Sequence, residues 1–197
     1  LIADTADLHG LALVLLYAVG VLIKDTHGIT TDGVTYFAQL RSVIVDGDLD
    51  LSVAHFGYDQ GETRWLENQG GWRFASHLLQ ELSGPINAEI ADIDGDSDLD
   101  IVTLVSQEWE EIYAFVNDGR GQFTPRRIFG ASNEDFGSSW ISLADLDGDN
   151  DPDVVYSNGD AFDYATTSGR SWNGLQWLEN TGGGAFTYHR LADIPGA

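Results

Sequence analysis

Short apolar runs recur along the chain, separated by acidic or glycine-rich stretches. Ile101-Val102-Thr103-Leu104-Val105 and Val154-Val155-Tyr156 are too short for helices and rich in β-branched residues, so they predict strands. Each follows a loop with an aspartate at every second position. Residues Asp92 to Asp100 read Asp-Ile-Asp-Gly-Asp-Ser-Asp-Leu-Asp, and Asp145 to Asp153 read Asp-Leu-Asp-Gly-Asp-Asn-Asp-Pro-Asp. A second phrase lies downstream. Trp65-Leu66-Glu67-Asn68 matches Trp177-Leu178-Glu179-Asn180, with Ala114-Phe115-Val116-Asn117 as a weaker copy. Gly70, Gly119 and Gly182 sit two residues after each Asn, and Phe74, Phe123 and Phe186 six after. An apolar run, a glycine-rich turn and another apolar run predict a β-hairpin, with glycine supplying positive φ.

The predicted unit is strand, acidic loop, strand, variable loop, strand, glycine turn, strand. From Asp50 to Asp100 to Asp153 the spacing is 50 and then 53 residues. Four strands in a unit of that length is the pattern of a β-propeller blade. The fold expectation is therefore all-β, with antiparallel four-stranded blades at residues 40–84, 85–137 and 138–197 and a degenerate or partial blade at 1–39. Leu11 to Ile23 is a thirteen-residue apolar run, too short to span a membrane. Two buried strands are expected there, since Asp4 and Asp7 stand where a signal peptide carries basic residues.

The acidic loops predict a metal. Carboxylates this close repel one another unless a cation sits between them. Ca²⁺ takes six to eight oxygens in a flexible loop, whereas Mg²⁺ demands octahedral geometry. Zn²⁺ prefers Cys and clustered His, and the chain has no Cys. The expected side-chain ligands are Asp92, Asp94, Asp96 and Asp100 in one loop and Asp145, Asp147, Asp149 and Asp153 in the other. Asp98 and Asp151 are expected to offer backbone carbonyls. The first unit carries only Asp46-Gly47-Asp48-Leu49-Asp50, a shortened loop and a weaker candidate.

These phrases resemble the FG-GAP/VCBS repeat family. Ala91 to Val102 and Ala144 to Val155 are similar to its acidic phrase, and Trp177 to Phe186 to its Trp-x-Glu-Asn hairpin. The resemblance extends over 40–197 and is weak over 1–39. It implies Ca²⁺ in the loop between a blade's first two strands and a seven-bladed propeller. A chain of 197 residues is too short for seven such blades, so the remaining blades are expected from a longer protein. The family has Gly at loop position six, where this chain has Ser97 and Asn150. Asn tolerates left-handed backbone better than Ser, so the Asn150 loop is expected to be the better formed.

Composition narrows the function. The net charge is −23, and two Ca²⁺ would bring it only to −19. Most of the acidity therefore belongs to the surface, which disfavours nucleic acid and anionic membranes as partners. Millimolar-range calcium sites suit extracellular fluid, so secretion or the cell surface is expected. No nucleophile motif is present. The scattered His residues include His77 and His189 at one repeat position, which points to structure and away from catalysis. The third unit carries about ten extra residues between Ser157 and Asn173. In the resembled fold this insertion lies on the face opposite the metal loops, where ligands are often engaged. Asp160, Phe162, Tyr164, Arg170 and Trp172 there, with Trp109 in the second unit, combine rings and polar groups suited to sugars. The leading expectation is a non-catalytic adhesion or carbohydrate-binding module for a glycan or an extracellular protein. The alternatives are part of a secreted polysaccharide-degrading enzyme and a structural spacer.

Overall fold

The computed structural model describes residues 36–43, 50–159 and 170–194, the first of these segments by its backbone. Residues 1–35, with the apolar run Leu11 to Ile23, lie outside it, as do Asp46, Asp48 and Asp160 to Tyr164. Among the described residues, twelve strands form three four-stranded sheets, each a meander in which every strand pairs antiparallel with the next. The first sheet holds β1 (Tyr36–Val43), β2 (Asp50–His55), β3 (Glu62–Asn68) and β4 (Phe74–Glu81). The second holds β5 (Pro85–Ala91), β6 (Asp100–Val105), β7 (Glu111–Asn117) and β8 (Phe123–Gly130). A 3₁₀ turn at Glu134–Phe136 leads to the third, with β9 (Ser138–Ala144), β10 (Asp153–Asn158), β11 (Gly174–Asn180) and β12 (Phe186–Asp193). The first sheet begins at Tyr36, inside the segment that spacing alone assigned to an earlier unit.

The sheets pack side by side in chain order. β5 lies between β1 and β2 on one side and β9 on the other. Two apolar layers result. One joins Ala54 and Trp65 of the first sheet to Ala88, Ile90, Ile101 and Phe115 of the second. The other joins Val102, Leu104, Ile112 and Ala114 of the second to Ile141, Val154, Tyr156 and Leu178 of the third. Alternate residues of β6 thus feed opposite layers, and every residue of that strand is buried. This is why Ile101 to Val105 reads as a continuous apolar run: a strand covered on both faces has no polar side to show. Burial falls toward β4, β8 and β12, the outer strands, which expose half or more of their residues.

One irregularity recurs in all three sheets. The third-to-fourth strand pairing shifts register between Thr63 and Arg64, Ile112 and Tyr113, and Leu175 and Gln176. Each break stands at the same distance before the hairpin Asn. A bulge at this place raises the local twist, so the outer strand swings away in the same manner in each repeat.

Candidate metal centre

Each nine-residue acidic loop closes between paired strand ends: Ala91 opposite Asp100, and Ala144 opposite Asp153. The loop curls around its first aspartate. Asp92 Oδ1 accepts from the N–H groups of Gly95 (2.8 Å) and Asp96 (3.1 Å), and its Oδ2 accepts from that of Ser97 (2.9 Å). Asp145 repeats this, accepting from the N–H groups of Gly148 (2.7 Å) and Asn150 (3.1 Å). The curl requires left-handed backbone at Gly95 and Gly148, with φ of 81° and 83°. Nothing lies near the Cβ that either glycine lacks, so conformation and not space calls for glycine. Ser97 and Asn150 also take left-handed φ, 76° and 77°.

The curl gathers Asp92, Asp94 and Asp96 so that one carboxylate oxygen from each lies within 4.8 Å of the others. Asp145, Asp147 and Asp149 do the same. Partial burial, then the neighbouring Asp96 and Asp92 charges, raise the Asp94 carboxyl above the usual range. Desolvation, followed by Asp149 and Asp153, raises Asp147. Three hard oxygens at this spacing fit a divalent cation with oxygen preference.

The ninth positions brace the loops. Asp100 and Asp153 are both 0 % exposed and stand outside the two triplets. Asp100 accepts from the N–H groups of Ile93 (2.9 Å) in the loop and Asn117 (2.8 Å) on β7. Asp153 accepts likewise from Leu146 (2.9 Å) and Asn180 (2.8 Å). Each carboxylate therefore braces its loop to the third strand of its own sheet. Burial pushes the Asp100 carboxyl up to about 6, against the pull of its two backbone hydrogen bonds. At position seven, the Asp98 N–H donates to Asp96 and the Asp151 N–H to Asp149. The Asp98 carboxylate lies against Gly119, where an added Cβ would come within 2.3 Å of it.

The first sheet departs from this scheme. Asp50 still accepts from the hairpin N–H of Asn68 (2.7 Å), but its other oxygen accepts from the Trp65 indole (3.0 Å). Asp46 and Asp48 lie outside the described residues. Trp65 also stacks on His77, which pairs with Glu67, and Trp177 stacks on His189, which pairs with Glu179. The repeated histidines thus take part in a repeated packing unit.

Residues 45–103 and 104–156 each match the FG-GAP-like repeat. The chain belongs to the FG-GAP-like repeat family. Comparison with curated proteins and with solved structures returns no significant match. The FG-GAP matches are offset from the sheets: each runs from the second strand of one sheet, or the loop before it, into the second strand of the next. One sequence repeat therefore stitches two neighbouring sheets together. FG-GAP repeats commonly bind Ca²⁺ and are typical of extracellular proteins. Among the described residues no helix is long and apolar enough to cross a membrane.

Sequence reasoning missed the ties between sheets. The Asn180 side-chain amide of the third sheet donates to the Ile93 carbonyl in the second sheet's acidic loop (2.8 Å). Arg126 of the second sheet donates to the Gly183 carbonyl in the third sheet's turn (3.3 Å). The repeated Asn was the available signal, but its second partner belongs to another repeat.

Metal loops and hairpin turns share one end of the sheets. The connections after each second and fourth strand share the opposite end. There, Trp109 is 42 % exposed and donates its indole N–H to Ser83. Trp172 is half-buried, donates to the Asp135 carbonyl and carries the Arg170 guanidinium 5.8 Å over its ring. Its packing against the second apolar layer gives Trp172 a structural share in the loop it closes.

Proposed function

We propose that this FG-GAP protein is a non-catalytic, Ca²⁺-stabilised β-propeller module, secreted or held at the cell surface, that recognises a glycan or an extracellular protein. The observation that carries the reading is the pair of equivalent aspartate triplets in two successive sheets, each within 4.8 Å. In each site Ca²⁺ would be held by Asp92, Asp94 and Asp96, or by Asp145, Asp147 and Asp149. It would supply the positive charge that offsets their mutual repulsion. The chain's part is to preform the cradle: backbone N–H groups fix the first aspartate, and the buried Asp100 and Asp153 hold each loop to its sheet. The propeller reading is supported by three successive four-stranded meanders packed side by side. Its remaining blades would come from a longer chain.

The test is thermal unfolding with millimolar Ca²⁺ and with excess chelator. At free Ca²⁺ about 100 times its dissociation constant, each site adds about 2.7 kcal/mol. For a domain of this size the two sites would raise Tm by about 10–20 °C. Superimposed melting curves in the two conditions would refute the calcium reading.

A further inference from the structure

The two acidic loops touch the same hairpin turn. That turn joins β11 to β12 and begins at Asn180, which is 1 % exposed. The Asn180 backbone N–H donates to Asp153 (2.8 Å), and its side-chain amide donates to the Pro152 carbonyl (3.2 Å). Both acceptors stand at the end of the third sheet's own acidic loop. The same amide donates across the interface to the Ile93 carbonyl (2.8 Å), between Asp92 and Asp94 in the second sheet's loop. The Asn180 side-chain oxygen accepts from the Gly182 N–H (3.2 Å) and so ties the turn to this junction. Further along, the turn again meets both loops. A Cβ on Gly182 would stand 3.5 Å from the Asp151 carboxylate, and one on Gly184 would stand 3.7 Å from the Asp94 Cβ. Arg126 holds the turn from the second sheet by donating to the Gly183 carbonyl (3.3 Å). Residues 180–184 therefore contact members of both aspartate loops.

We propose that the two acidic loops are coupled through this turn, so that filling one with Ca²⁺ raises the affinity of the other. The coupling rests on the calcium reading of the loops. Without a cation the three carboxylates of each loop repel one another, and opening the loop relieves that repulsion. Opening the second sheet's loop withdraws the Ile93 carbonyl from Asn180. Opening the third sheet's loop withdraws Asp153 and Pro152. Asn180 and its turn are thus fully held only when both loops are closed. A cation in either loop orders the shared turn, and binding at the other then requires less ordering. The gain is that of one hydrogen bond, about fivefold in affinity. Charge alone has the opposite sign, because one bound cation repels the next, but physiological salt weakens that repulsion.

The experiment is a Ca²⁺ titration of the whole chain at physiological salt. It is followed by nuclear magnetic resonance at the Gly95 and Gly148 amides, which report the two loops separately. Asp147→Ala, which disables the third sheet's loop, should weaken Ca²⁺ binding at Gly95 about fivefold. Asp94→Ala should weaken it at Gly148 by the same factor, since coupling between binding sites is reciprocal. In an Asn180→Ala background both factors should fall below about twofold, the range of independent sites. Arg126→Ala changes an exposed side chain and should also reduce both factors, so it decides the matter if Asn180→Ala does not fold. Midpoints that ignore the state of the other loop would overturn the proposal. So would tighter binding in the single-loop variants, which is the sign of repulsion between cations. Unequal factors, or factors that survive both turn variants, would place the effect outside the shared turn and overturn it as well. If neither amide responds to Ca²⁺, the calcium reading fails and the coupling with it. Saturation of both loops without coupling removes this inference alone and leaves that reading in place.

Discussion

The second and third sheets carry nearly the same acidic loop in different surroundings. Both loops take left-handed backbone at positions four and six, and both curl around the first aspartate. In the second sheet, Asp92 and Asp94 are half-buried, because the third sheet's hairpin leans on the loop through Asn180 and Gly184. In the third sheet, Asp145, Asp147 and Asp149 are all exposed. The nine-residue phrase therefore sets the cradle, and the neighbouring repeat sets how much water reaches it. Position six alone favours a better-formed Asn150 loop. The backbone there is the same in both loops, and the difference lies in what covers them.

The largest effects should come from the braces. Asp100→Ala and Asp153→Ala each leave two backbone N–H groups without their acceptor. At about 1–3 kcal/mol for each orphaned group, either change should cost about 2–6 kcal/mol in denaturant unfolding, with chelator present. Equal and small losses would mean that water replaces the carboxylate and that the braces are dispensable. Asp100 should also give stability a pH dependence. The Asp100 carboxyl lies near 6 when folded and near 3.9 when unfolded. A raised acid binds its proton more tightly in the folded state, so its charge costs stability above about 6. In chelator, that cost should fade as pH drops from about 7 toward 4, and Asp100→Asn should remove that part of the pH dependence.

Metal dependence comes next. Asp94→Ala and Asp147→Ala should each lower Tm in millimolar Ca²⁺ and leave it nearly unchanged in chelator. Equal losses in both conditions would show that these side chains serve the fold without a metal. Asn180→Ala addresses the comparison more directly. It removes an amide of the third sheet that holds the Ile93 carbonyl of the second sheet's loop. It should cost about 1 kcal/mol and weaken Ca²⁺ binding at the Asp92 loop in an Asp147→Ala background. Unchanged affinity there would show that the two sheets act independently.

How much of this was legible follows from where each repeat makes its contacts. The acidic phrase and the Trp-x-Glu-Asn hairpin announced strands, loop and turn, because those features are local. The start of β1 at Tyr36 was not legible, because the phrase Asp46 to Asp50 lacks the full nine-residue register that marks the others. The brace role of Asp100 and Asp153 was hidden, because alternation marks position nine as one more loop aspartate and does not show the backbone N–H groups it accepts from. The bulge before each hairpin Asn carries no residue signature: Thr-Arg, Ile-Tyr and Leu-Gln share nothing.

The smallest prediction isolates position six. Ser97 and Asn150 both sit at positive φ, where side chains other than glycine are strained and Asn least so. Glycine removes that strain but loosens the unfolded chain, and the two terms oppose each other. Asn150→Gly should therefore be nearly neutral, while Ser97→Gly should stabilise by about 0.5–1 kcal/mol, measured in chelator so that metal does not enter. Both substitutions leave the carboxylates untouched, so any change in Ca²⁺ affinity reports the cradle and not the ligands. If Ser97→Gly gains no more than Asn150→Gly, position six does not separate the loops, and the cover from the third sheet accounts for their difference.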